Sequence, residues 1–321
     1  MALSLRSGLA ASAGLKSEST YGTGVTVDTF VPLVSESIEC EIDRLESAGI
    51  VAGQLIGQST QWAAGNVTVS GDLQLELYQQ NAGVLLHHML GFATSTGSAP
   101  GTHTITPGSL AGKSFTLQLG RPDTAGTVNP FTYTGCKITS WEMAASVGEI
   151  VTLGLSVVAQ QEGTATALAA ASYNADLAPF VFTHASVNFF GTAFSARQFT
   201  LSGDNGLNVD RRFLGGGTIE EPLDSALRAY TGNLQGDFTG LVTSHYDRFK
   251  SGAEGSLIAT ITTGASEKLT ITTNIRLDGS TPNIEGPDVL AHEIPFKCVA
   301  TSSVASTALS ILLTNGQSTV A

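Results

Sequence analysis

The sequence predicts a mainly β protein made of two similar halves, each built from antiparallel strands with one short helix. Three observations predict this class. Apolar and polar residues alternate in several short segments, which is the pattern of a half-buried strand. Glycine, serine, threonine and alanine abound while charged residues make up only 13% of the 321 residues, which suits short strands and many turns. Finally, the two halves of the chain resemble each other.

The internal similarity is clearest between residues 71–91 and residues 232–252, which lie 161 positions apart. The first stretch reads GDLQLELYQQNAGVLLHHMLG and the second reads GNLQGDFTGLVTSHYDRFKSG. Each predicts a strand followed by a helix that ends at a glycine. At the same offset, residues 198–207 correspond to residues 37–46. A repeat of two strands and a helix exceeds a chance match, so we expect a duplicated unit.

The similarity continues along the chain at a shorter offset of about 140 residues. Residues 113–120 resemble residues 255–264, and residues 135–160 resemble residues 273–300, with a strand, a turn and a strand in each half. The offset drops because the first half carries an extra loop, residues 92–112. The chain divides into five predicted parts: an N-terminal arm (1–32), a first unit (33–161) that includes the loop, a linker (162–179), a second unit (180–301) and a C-terminal arm (302–321).

Three of the predicted strands carry a polar face. In residues 37–45, SIECEIDRL, apolar residues alternate with acids, and a period of two places the acids on one side. Residues 69–77 and 232–238 alternate in the same way. A solvated sheet face explains any single strand equally well, but here the polar face recurs beside a helix that must cover the apolar face. The predicted polar residues are Glu39, Glu41, Asp43, Asp72, Gln74, Glu76, Asn233, Gln235 and Asp237.

The helices carry a stripe of residues spaced i, i+3, i+4 and i+7. In the second half this stripe is Val242, His245, Tyr246 and Phe249. At the 161-residue offset, His88 takes the place of Phe249 and His87 takes the place of a solvent-facing arginine. Adjacent residues on a helix point about 100 degrees apart, and the second half keeps neither histidine of the pair, so we do not expect it to bind a metal.

No catalytic, cofactor or metal motif is predicted. Residues 292–296, HEIPF, begin like a zincin helix, but Pro295 breaks a helix interior and the second histidine is missing. Residues 204–210, DNGLNVD, lack the ligand spacing and the sixth-position glycine of an EF-hand, so a turn explains them better. The sequence also lacks a G-x-S-x-G nucleophile elbow. We therefore do not expect an enzyme.

The amino-acid composition limits which partners and which compartment we expect for the protein. The net charge of −12, from 15 Lys and Arg against 27 Asp and Glu, argues against ordinary binding to a phosphate backbone. The negative charge does not exclude DNA that passes through a conduit, because repulsion from the wall would help the duplex slide. The first 16 residues hold no signal-like apolar run, and no segment approaches 18 uninterrupted apolar residues, so we expect a soluble protein without a membrane partner. A reducing compartment is predicted by three cysteines without C-x-x-C spacing: Cys40, Cys136 and Cys298.

Several segments resemble the major tail tube proteins of long-tailed, siphovirus-like bacteriophages. The order of these segments matches over nearly the whole chain. They are ESTYGTGVTVDTFVPLVSESIE (18–39), the helix ending LLHHMLG (85–91), APFVFTHASVNFFG (178–191), LSGDNGLNVDRRFLGG (201–216) and EEPLDSALRAYTGNLQGDF (220–238). The resemblance implies two tandem β-sandwich or half-barrel units, each with a flanking helix, whose inner sheets join between subunits into a closed β-barrel tube.

The resemblance also implies a function and a set of partners. Family rings of six units stack into a hollow tube that passes phage DNA from the capsid to the host, and the tape measure protein, the tail terminator and the distal tail or baseplate proteins are the implied partners. The chain would reside in the virion tail after assembly in the host cytoplasm. Because one chain supplies two units, we expect three chains in a ring, and the nine polar residues above are predicted to line an acidic lumen.

Two further expectations complete the interpretation. The arms and the loop 92–112 have little core of their own, so we expect them to become ordered only against neighbouring rings. The alternative function is a tandem β-sandwich adhesin or carbohydrate-binding surface protein. That alternative would favour exposed aromatic platforms, whereas Trp62 and Trp141 are the only tryptophans and neither lies in an aromatic cluster.

Overall fold

The computed structural model describes residues 6–174, 177–241, 246–264, 266–279, 281, 284, 286–287 and 289–320. Strands account for 50% of the chain and helical residues for 8%, with large antiparallel sheets, so the predicted mainly β class is confirmed. The described residues contain two α-helices. Neither helix has the length and apolar character needed to cross a membrane.

The elements of the first half are β1 (Ser12–Ser17), β2 (Thr29–Val31), β3 (Ser35–Glu36), β4 (Glu39–Glu46), β5 (Trp62–Glu76), α1 (Ala82–Leu90), β6 (Gly91–Thr96), β7 (Gly101–Pro107), β8 (Phe115–Pro122), β9 (Val128–Ser146), β10 (Thr152–Ala159) and β11 (Gln161–Gly163). Those of the second half are β12 (Ala185–Phe189), β13 (Thr192–Phe194), β14 (Ala196–Asp204), β15 (Leu207–Asn208), β16 (Leu223–Asp224), β17 (Ala229–Asp237), α2 (Tyr246–Ser251), β18 (Gly255–Thr262), β19 (Lys268–Leu277), β20 (Ala291–Cys298) and β21 (Leu309–Asn315). Three short 3-10 helices lie between them, at Gly8–Ala10, Phe182–His184 and Ala305–Thr307.

The two halves pair their strands in the same order. The first half runs β2–β1–β8–β9–β10–β5–β4, and every neighbouring pair is antiparallel. The second half runs β13–β12–β18–β19–β20–β17–β14, again antiparallel throughout. The registers correspond as well, since Glu76 lies opposite Thr152 and Asp237 lies opposite Ala291. The common order supports the predicted duplication, while the division of the chain into units, linker and arms stays a prediction.

A long strand joins the two halves. The first part of β9 pairs with β8 and β11, whereas its last residues pair with β10 on one side and with β14 on the other. Strands β4, β5, β10, β9, β14, β17 and β20 therefore form one continuous surface, which we call the main sheet. The described strands do not close into a barrel within one chain. The closed β-barrel tube remains a prediction about several chains.

The core lies behind one face of the main sheet. Alternate residues of its strands, such as Leu73, Leu155 and Leu201, are buried in a cluster that also holds the apolar residues of α1. Helix α1 ends at Gly91, whose φ of 96° is a conformation that suits glycine and whose N–H donates to the His87 carbonyl. The sheet therefore has one buried face and one face turned away from the core.

The arms and the loop 92–112 were expected to become ordered only against neighbouring rings, and that expectation is wrong. In the N-terminal arm, β1 pairs with β8 and β2 pairs with β1. The loop forms the hairpin β6–β7, which pairs with β21 of the C-terminal arm, and β21 in turn pairs with β19. The alternation in GTHTITP places His103 and Ile105 in the core, so these segments bury apolar side chains within their own chain.

Candidate functional surface

A continuous polar face crosses all seven strands of the main sheet. Residues directly opposite each other in an antiparallel pair point to the same side of the sheet, so the registers trace rows across it. One row connects the two halves through Glu76, Thr152, Ala144, Thr200, Asn233 and Pro295. The next row runs through Gln74, Gly154, Glu142, Ser202, Thr231 and Lys297. We call this surface the polar face.

Register pairs place eight of the nine residues predicted from strand alternation on this face, and the ninth, Asp43, follows from the alternation of β4. Glu39 and Glu41 lie opposite Ser70 and Thr68, which alternate in β5 with the buried Val69. All eight are exposed or partly exposed in the single chain. They are Glu39, Glu41, Asp72, Gln74, Glu76, Asn233, Gln235 and Asp237.

Asp43 lies at an irregularity in the pairing of β4 with β5. The register steps from Ile42 opposite Val67 to Arg44 opposite Ala64, which is two residues along β4 but three along β5. The extra residue of this bulge therefore belongs to β5, and β4 keeps its own alternation. Asp43 accordingly stays on the side of Glu41, while the Arg44 guanidinium on the other side lies 4.8 Å from the centre of the Trp62 ring.

Strand pairing adds charged residues that sequence reasoning missed. Glu142 and Glu293 sit on the polar face in β9 and β20, and Asp204 lies opposite Ser140. Local alternation in TSWEMA and AHEIPF was the signal available for the two glutamates. Cations also reach this surface: Lys297 lies opposite Thr231, and Arg276 lies opposite Lys297.

Two acids of the polar face have polar partners close by. The Asp72 carboxylate accepts a hydrogen bond of 2.7 Å from the Ser156 hydroxyl. The Glu76 carboxylate accepts one of 2.8 Å from the Tyr78 hydroxyl. Burial, followed by this hydrogen bond, raises the pKa of Tyr78 to about 12, so the phenol stays protonated at neutral pH. The two acids are thereby held in place on the sheet as hydrogen-bond acceptors.

Asp237 forms an ion pair with Arg197, with 2.7 Å between the guanidinium and the carboxylate. Both side chains are about half exposed, so the pair contributes little to stability. It does reduce the local negative charge at this end of the polar face.

His88 belongs to the core rather than to a site, and His87 beside it is only partly buried. His88 is buried, its ring lies 5.0 Å from the Phe115 ring, and its Nε2 is 2.9 Å from the Ser17 hydroxyl. Burial lowers the pKa of His88 to about 3, and the nearby charges of His87, Lys113 and Lys137 act in the same direction. Among the described residues, no group of three His, Cys, Asp or Glu side chains could hold a metal ion.

Comparison with known proteins places the chain in a family. Residues 8–298 match the family model described as "Phage tail tube protein". The chain belongs to the phage tail tube protein family. No curated protein matches the sequence. The family match confirms the resemblance found in the sequence and makes this chain a structural protein of the bacteriophage virion, a component of the tail tube. A structural role of this kind implies a non-enzymatic protein.

Proposed function

We propose that the polar face lines the lumen of the tail tube and that three chains close one ring around passing phage DNA. The observation that carries this proposal is the continuity of the polar face across both halves of the chain. A surface with an uninterrupted polar side and an apolar side packed on its own core has the two properties that a tube wall needs. Because each chain supplies two units with one strand order, three chains would supply six.

The charge of the polar face suits a conduit for a polyanion. Its acids outnumber its cations, and the charge of Arg197 is paired with Asp237. The acids are Glu39, Glu41, Asp43, Asp72, Glu76, Glu142, Asp204, Asp237 and Glu293, and the cations include Arg197, Arg276 and Lys297.

A wall rich in Lys and Arg would retain DNA by counterion release, whereas an acidic wall repels it. Three chains of net charge −12 would give a ring of −36. Salt screens charges over about 8 Å at physiological ionic strength, so the repulsion would centre the duplex without blocking it. The polar amides Gln74, Asn233 and Gln235 would keep the wall hydrated between the acids.

The proposed partners follow from the same role. The chain would contact copies of itself within a ring and between stacked rings. At the ends and inside of the tube it would meet the tail terminator, the distal tail or baseplate proteins and the tape measure protein, and assembly would take place in the host cytoplasm. The family assignment favours this role over the adhesin alternative.

Charge reversal on the polar face tests the proposal. We expect phage carrying Glu39→Lys, Glu41→Lys and Glu142→Lys to build tubes but to eject DNA more slowly, on the order of tenfold, because every ring would add cationic contacts to phosphates. The matched control places the same charge change off the polar face, with Glu220→Lys, Glu254→Lys and Glu267→Lys. Tubes would be checked by electron microscopy and ejection by DNA release. Equal ejection rates for the two variants and the wild type would show that the polar face does not line the path.

A further inference from the structure

Two corresponding connectors in the chain have different surroundings. Residues 47–61, the first connector, join β4 to β5, and residues 205–228, the second connector, join β14 to β17. The strand pairs that they join occupy the same place in the two halves, at the end of each strand order. A common place in the fold predicts a common kind of neighbour, so the surroundings of one connector indicate what the other requires.

The second connector packs on the first half of the same chain. The Lys137 ammonium lies 2.6 Å from the Glu221 carboxylate and donates to the carbonyls of Leu110 and Pro222 at 2.7 and 3.0 Å. The Asn205 amide donates to the carbonyls of Met89 and Ile138 at 3.0 and 2.9 Å. The Lys137 side chain is only 1% exposed and that of Glu221 is 24% exposed, so the contact is buried on the lysine side.

The strand before the second connector is paired on both edges. Strand β14 pairs with β17 on one side and with the last residues of β9 on the other. Helix α1 lies beneath this contact, because the Arg228 guanidinium donates to the Leu90 carbonyl at its C-terminal end. The second connector, β14, the end of β9 and α1 therefore form one interface between the two halves.

The first connector has no comparable contact surface among the described residues of its own chain. In the described structure β4 pairs only with β5, so its outer edge is open. The hydrogen bonds of the first connector stay local, from Ser47 to Gln61 and from Gln54 to Val51. Three large apolar side chains on it are almost fully exposed: Ile50, Leu55 and Ile56. An open strand edge beside exposed apolar side chains is typical of a surface that pairs with another chain.

No described segment of the chain covers the corresponding surface of the second half, which is formed by Arg276, Leu241 and α2 and which we call the seat. Arg276 holds the place of Lys137, because Lys137 lies opposite Val158 in β10 and Arg276 lies opposite Lys297 in β20. Lys137 is buried under the second connector, whereas Arg276 is exposed. Helix α1 buries most of its residues, but α2 buries none, and Leu241 before it is exposed. One chain thus presents both a free connector and a free seat.

We propose that the first connector and the open edge of β4 dock on the second half of a neighbouring copy, over Arg276, Leu241 and α2, so that Arg276, exposed at the margin of the polar face in the single chain, is covered in the ring. The contact would repeat between chains what the second connector makes within one chain. It is a head-to-tail contact, which closes into a ring if the rotation returns to the start. This inference rests on the proposed ring and adds the two surfaces that close it.

Two variants that each lose one side of the contact test the inference. The connector variant is Ile50→Asp, Leu55→Asp and Ile56→Asp, and the seat variant is Leu241→Asp with Arg276→Glu. We expect each purified variant to stay a single chain in light scattering after gel filtration. A one-to-one mixture should give a dimer and nothing larger, because the intact connector of the seat variant can bind only the intact seat of the connector variant.

The control variant places aspartate at three exposed apolar positions elsewhere, Leu9→Asp, Val147→Asp and Val304→Asp, and should assemble like the wild type. Thermal unfolding would establish that all variants are folded. If the wild type itself makes no rings, the proposed ring fails and this inference fails with it. If the wild type makes rings and the connector variant does too, or if the mixture gives no dimer, only the proposed contact is overturned.

Discussion

The two halves of the chain share a strand order but bury corresponding side chains to different depths. Lys137 in the first half is buried and paired with Glu221, whereas its counterpart Arg276 is exposed. Helix α1 is packed on both the core and the second connector, whereas α2 has no buried residue. Burial at these positions is therefore set by the segment that covers each half rather than by the local pattern of the strands.

The largest expected effect comes from removing the ammonium of Lys137. Lys137→Ala removes the charged partner of the Glu221 carboxylate and a donor to the carbonyls of Leu110 and Pro222, although the Gly112 N–H still donates to Glu221. Breaking a buried ion pair from one side costs about 3 to 5 kcal/mol. Arg276→Ala in the second half should change the free energy of unfolding of the single chain by no more than about 0.5 kcal/mol. Urea unfolding of both variants measures the difference, and equal losses would contradict the asymmetry described above.

The next effect is the pH dependence that His88, in the first half, contributes to the free energy of unfolding. The pKa of His88 is lowered from its ordinary value of 6.5 to about 3 by burial, so the unfolded chain binds a proton at His88 that the folded chain does not. Stability from this group is complete above pH 6.5 and falls as the pH drops toward 3, by about 1.4 kcal/mol per pH unit.

The counterpart residue supplies the control for this pH dependence. The second half carries Phe249 at the place of His88, so His88→Phe should remove this part of the acid sensitivity while it fills the site with a similar ring. The measurement is the free energy of unfolding between pH 7 and pH 4. A slope unchanged by His88→Phe would assign the acid sensitivity to other groups, such as the carboxylates.

The smallest effect concerns the glycines that end the two helices. Gly91 and Gly252 both have positive φ, 96° and 68°, where a side chain costs about 1 to 2 kcal/mol. A methyl group on Gly91 would also collide with the Gly108 carbonyl, whereas one on Gly252 would meet open space. Gly91→Ala should therefore lower the melting temperature more than Gly252→Ala. The same loss at both sites would mean that the hairpin β6–β7 does not press on the end of α1.

Much of the fold and the polar face follows from local patterns. Alternation in residues 69–77 predicted which side chains of β5 turn to the core, and the placement of Leu73 and Gln74 agrees with it. The internal similarity predicted that Glu76 and Asp237 hold the same place, and both lie on the same side of one sheet. These features are predictable because a period of two is a property of the strand itself.

Other features depended on contacts that are remote in sequence. The bulge that β5 forms opposite Asp43 depends on the register between β4 and β5, which a single strand does not encode. The hairpin β6–β7 is not predictable from residues 92–112, because its alternation is short and its partner, β21, lies about 200 residues away in the chain. Pairing with β21 determines which side chains of β7 are buried, so the alternation in residues 101–107 is ambiguous by itself.

The sequence by itself determined the mainly β class, the two similar halves, the acidic balance and the family resemblance, because periodicity, composition and repetition are written along the chain. Only the tertiary structure decided that β14 pairs with β9 and that Lys137 is covered while Arg276 is open. The two halves are too alike for local pattern to tell them apart. Their difference arises because the second connector packs on the first half of its own chain, whereas the described residues offer the first connector no comparable surface.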